Sequence, residues 1–67
     1  MKNLKRIRED AGLSQGKLAS ASGISVRVIQ AYEQGAKDIN KAQGATLRAL
    51  ARALDCSMED LMEIEEE

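Results

Sequence analysis

Two short segments, each opened by a serine and closed by a glycine, with only Ile24 between Gly23 and Ser25, constrain this chain more than any other feature. Ser14 can cap a helix over Gln15 to Ser22 that Gly23 ends, and Ser25 can cap the next through Gln34, closed by Gly35. So tight a connection needs a small residue where the helices approach, supplied by Ala19, and a corner residue that tolerates positive φ, supplied by Gly23. Leu18, Ile24, Ile29 and Tyr32 then form an apolar set facing inward, with Val28 on the same stripe.

The flanking sequence reads as more helix. Leu4, Ile7 and Ala11 recur at helical spacing before Gly12, and Leu47, Leu50, Ala51 and Leu54 place a helix over Thr46 to Leu54. Ser57 with Asp60 three residues on resembles a capping box and starts a last helix carrying Met58, Leu61 and Met62. Ala36 to Gly44 is a polar connection with room for one helical turn around Lys41. Proline is absent and Tyr32 is the one aromatic residue, a composition that favours helix over strand. The expectation is a compact all-α fold of five helices: one domain over residues 1–62, followed by a fraying acidic tail over 63–67.

A chain of 67 residues buries a modest share of its surface, and nothing covalent is available to staple it. One cysteine, Cys56, excludes an internal disulfide, and the lack of histidine excludes a Cys/His zinc site, so neither metal nor cofactor is expected. Cys56 reads as a small buried hydrophobe. With no histidine, no base beside the cysteine and no glycine-rich phosphate loop, an enzyme is not expected. No apolar run approaches bilayer length and the first eleven residues are too charged for a signal peptide, so the expected setting is cytoplasmic.

The net charge of -1 conceals a strong asymmetry. Residues 1–52 carry all ten Lys and Arg against four acids, whereas 54–67 carry seven acids and no base. The basic body is either an ordinary solvated surface or a face for a polyanion.

Gln15 to Gln34 agrees with the helix-turn-helix pattern at its proper spacing. Together with the stretches LKRIREDAGLSQGKLASASGIS, VIQAYEQG and TLRALARALDCSMEDL, it makes the chain resemble the phage Cro and repressor group, the xenobiotic-response-element type of helix-turn-helix domain. The resemblance spans nearly the whole chain and implies a five-helix, lambda-repressor-like fold. In that fold the third helix enters the major groove of double-stranded DNA while the second crosses the backbone.

Carried over by position, the resemblance puts Gln15 and the N-terminal amides of the second helix against a phosphate, with Ser14 and Ser25 as companion caps whose hydroxyls can join them. Lys17, Asn40 and Lys41 are further phosphate candidates, and Lys37 and Arg48 add to the positive field. Val26, Arg27, Gln30 and Ala31 take the outward positions of the third helix. Arg27 can pair with guanine O6 and N7, Gln30 with adenine, and Val26 and Ala31 can touch a thymine methyl. As a phosphate contact, Gln15 is expected to support binding to all sequences about equally, so that Gln15→Ala weakens them alike. The resemblance also implies a structural salt bridge between Arg8 and Glu33.

These residues describe a sequence-specific transcriptional regulator, a repressor binding palindromic operators as a homodimer, since one third helix reads few base pairs. Met58, Leu61, Met62 and Ile64 offer a dimer interface, with packing onto the first helix as the competing use for them. The alternative is an antitoxin-like or adaptor module whose apolar and acidic C-terminal end meets a protein partner.

Overall fold

Five α-helices each contribute one enclosed side chain to a shared interior. These are Leu4 from α1 (Asn3–Asp10), Leu18 from α2 (Gln15–Ser22), Ile29 from α3 (Val26–Gln34), Leu50 from α4 (Gly44–Leu54) and Leu61 from α5 (Met58–Leu61), each at most 1% exposed. A computed structural model describes residues 2–63. Among the described residues the fold is entirely helical, with a single 3-10 turn, Ile39–Lys41, between α3 and α4. Helix α2 packs on α3 and α4, while α1 and α4 hold α5 between them. Tyr32, Ile39, Leu47, Ala51 and Leu54 complete the core, with Ile7, Leu13, Ile24 and Val28 packed around it.

Local chemistry explains where the elements start and stop. Ser14 and Ser25 accept hydrogen bonds from the backbone N–H groups of Lys17 and Arg27, and Gly23 and Gly35 close the two helices in the left-handed region. Ser57 and Asp60 form the reciprocal capping box, with both bonds at 3.1 Å. The Ser57 backbone and hydroxyl hold the Asp60 carboxyl below its ordinary range. At the far end of α4, Asp55 adopts φ +54°, a left-handed cap that Asp tolerates better than most side chains.

Three boundaries differ from the sequence reading. Helix α4 begins at Gly44, two residues before Thr46, because the Gln43 carbonyl already accepts the Leu47 N–H at 3.1 Å and closes a first turn through Gly44 and Ala45. Helix α5 is one turn, and Met62 is already extended with ψ 147°. Glu63, expected to fray, is fastened. Its backbone N–H donates to Asn40 Oδ1 at 2.8 Å, its carbonyl accepts from Asn40 Nδ2 at 2.6 Å, and its carboxylate accepts the Asn3 backbone N–H at 2.8 Å.

Gly23 sets the angle between α2 and α3. A Cβ built there would meet nothing within 4 Å, so the demand for glycine is conformational, at φ +74°. Gly23→Ala is therefore expected to lower stability by about 1–2 kcal/mol without steric clash. Urea unfolding followed by circular dichroism measures this, and an unshifted midpoint would contradict it.

Candidate nucleic-acid interface

The α2–α3 corner buries Leu18 and Ile29 on its inner side and turns the start of α3 outward. Val26, at 37%, is among the most exposed large apolar side chains, and Arg27 beside it is exposed. Gln30 and Ala31, one turn further along, are half-buried. Gly16, Ala19, Gly23, Ile24, Ser25 and Val26 line a shallow groove in the elbow. Ser14, Lys17 and Ser25 lie exposed at the two helix starts, where the first backbone N–H groups have no intrahelical acceptor and the dipole is positive. No Asp or Glu occurs between Leu13 and Tyr32, so no carboxylate from this stretch coats the edge.

The acid that ends this stretch, Glu33, is neutralised. Its side chain is 3% exposed and its Oε2 accepts from Arg8 Nε at 2.7 Å, while its Oε1 accepts from Arg8 Nη2 at 3.0 Å. Arg8, itself buried, also donates from Nη1 to the Leu13 carbonyl at 2.7 Å, tying α1 to the loop before α2. Burial pushes the Glu33 carboxyl up, but hydrogen bonds from Arg8 and Gln15, with the charges of Arg8 and Lys5, outweigh it and hold the group below its ordinary range. The same bond to Glu33 raises Arg8 despite its burial. The pair therefore stays ionised inside the fold.

A family model described as helix-turn-helix matches residues 4–61. The chain belongs to that family. Its members, of the Cro and repressor type, are DNA-binding transcriptional regulators rather than enzymes as a rule. No match is found among curated proteins or among solved structures. Among the described residues no helix is long and apolar enough to cross a membrane.

Within this helix-turn-helix domain the other candidate residues fall in different places. Lys41 is exposed at the end of the 3-10 turn. Asn40 lies beside it, also exposed, and its side-chain amide clasps the Glu63 backbone from both ends, which gives it a structural role at this turn. Leu61 is withdrawn from the dimer interface: it is 0% exposed, enclosed by α1 and α4, so the competing use, packing inside the domain, accounts for it. Met62 is half-buried, and its carbonyl accepts from Asn3 Nδ2 at 2.7 Å. Ile64 lies outside the described residues. Met58 is 36% exposed and borders a shallow groove with Gly44, Ala45 and Ala49, between Arg48 and Arg52. The Cys56 thiol is half-buried, and burial with nearby Asp60 and Asp55 pushes it up, away from thiolate reactivity.

The sequence reading missed what holds Gln15. Its Nε2 donates to Glu33 Oε1 at 3.0 Å and its Oε1 accepts from Gln30 Nε2 at 3.3 Å. The signal available was the helical spacing of Gln30 and Glu33, which puts both on one side of α3.

Proposed function

We propose that the domain represses transcription as a homodimer on palindromic operator DNA, inserting the start of α3 from each protomer into successive major grooves. The observation that carries this reading is the edge at Val26 and Arg27, exposed and free of acids from its own segment. Arg27 has the fork that suits guanine O6 and N7, Gln30 the amide that suits adenine, and Val26 and Ala31 offer apolar contact to thymine. Phosphates meet the α2 N-terminus with Ser14 and Gln15, the Ser25 cap, and the Lys17 and Lys41 ammonium groups. One α3 reads too few base pairs for useful selectivity, and two-fold symmetry doubles the site. Met58, beside the small residues of the α4 groove, supports placing the dimer contact at the α4–α5 end.

Selection from random duplex DNA followed by sequencing tests the reading. The expected product is a palindrome with half-site centres about 10 base pairs, one helical turn, or a multiple of that apart. Arg27→Ala is expected to cost about 1–3 kcal/mol and relax preference at one position of each half-site, whereas Lys17→Ala weakens all sequences alike. Recovery of no enriched sequence, or equal binding of selected DNA by wild type and Arg27→Ala, would displace this docking face.

A further inference from the structure

Arg8, Glu33, Gln15 and Gln30 form a continuous chain of hydrogen bonds from the interior to the outward side of α3, and each link has one sense. An ionised carboxylate only accepts, so the Gln15 NH₂ must face Glu33. Its carbonyl oxygen then faces the other way and can take only a donor, which Gln30 supplies from Nε2. The Gln30 carbonyl oxygen is thereby directed away from Gln15. A glutamine without such a neighbour can turn its amide over and present either donors or an acceptor. Here the buried ion pair removes that freedom, through three side chains on three helices.

We propose that Arg8, Glu33 and Gln15 are positioning residues that fix the polarity of the Gln30 amide and so make it select adenine against guanine. The inference rests on the docking of α3 proposed above. Adenine shows an acceptor at N7 and a donor at N6 in the major groove, which match the remaining Gln30 N–H and the outward Oε1. Guanine shows acceptors at both N7 and O6, so the fixed Oε1 would face an acceptor. An amide free to turn would meet guanine with its NH₂ group and discriminate little. Gln15 thus acts twice, on a phosphate and on the base pair read by Gln30, and its loss should not weaken all sequences equally.

The test measures binding of the full chain to the selected operator and to duplexes changed one base pair at a time. Gln30→Met first locates the base pair whose preference depends on Gln30. At that pair, Glu33→Gln is expected to reduce adenine-over-guanine preference at least about fivefold, the lower range of one bidentate base contact, while preferences elsewhere persist. Gln15→Met keeps the Arg8–Glu33 pair and so stays folded if Glu33→Gln does not. It should weaken every duplex and also erase the preference at this pair, and adding Gln30→Met should remove no further preference. Uniform weakening by Gln15→Met, with the preference intact, would overturn the relay and leave the docking of α3 standing. If Gln30→Met changes preference at no base pair, Gln30 reads no base and the proposal falls with that part of the docking.

Discussion

Glu33→Ala is expected to remove about 3–5 kcal/mol of folding stability, because it leaves the buried Arg8 guanidinium without its counter-charge. A domain of 67 residues has on the order of 3–10 kcal/mol in total, so this variant should sit near or beyond the edge of folding at 25 °C. Thermal unfolding by circular dichroism reads the loss directly, at roughly 4–8 °C per kcal/mol for a domain of this size. Arg8→Met with Glu33→Leu is expected to recover much of it, since a paired charge is then replaced by apolar volume. Recovery should be incomplete, because Arg8 also serves the Leu13 carbonyl, which would lose its donor. A Glu33→Ala variant as stable as wild type would show that the pair holds nothing together.

The same pair sets a pH dependence whose sign follows from the Glu33 carboxyl being held below its ordinary range. A group depressed on folding stabilises fully above its unfolded value, about 4.3 for Glu, and that contribution disappears as pH falls through the lower folded value. Stability should therefore be flat in this respect from neutrality to about pH 5.5 and decline below. Urea midpoints measured from pH 7 to 3 should fall less steeply in Glu33→Gln than in wild type. Asp60 titrates in the same sense, but in solvent at the start of α5.

Local patterns made most of the fold legible. Ser14, Ser25 and Ser57 announce helix starts by the bonds their hydroxyls accept, and the spacing of Leu47, Leu50, Ala51 and Leu54 places α4 because all four face the core. What local patterns do not carry is a partner far along the chain. Asn40 and Glu63 are 23 residues apart and Asn3 and Glu63 are 60 apart, so a polar loop residue and an acidic end looked solvated when they in fact clasp each other. Gly44 looked like a loop residue, yet nothing at its position excludes helix. Leu61 shows the converse ambiguity: apolar periodicity marks a residue as covered without saying whether its own chain or a second copy covers it. At the interface, exposure at Val26 and Arg27 follows from helical phase, whereas the sense of the Gln15 amide depends on an ion pair formed from α1.

Salt should weaken DNA binding by orders of magnitude, and the slope counts the contacts. Lys17 and Lys41 give two exposed cations per protomer for phosphates in the proposed docking, four in a dimer. If each displaces about one condensed counterion, log affinity should fall with log salt at a slope of about -3.6, on the order of a hundredfold between about 50 and 200 mM. The amides at the α2 and α3 N-termini are neutral and add affinity with little slope, so they cannot imitate this result. Lys17→Ala should then lower the slope by about two for the dimer, one per protomer, at any duplex sequence. A module working through its acidic C-terminal end would behave otherwise, since its seven acids repel the duplex and its affinity would belong to a basic protein. A shallow slope, unchanged in Lys17→Ala, would therefore take the duplex away from the α2–α3 face.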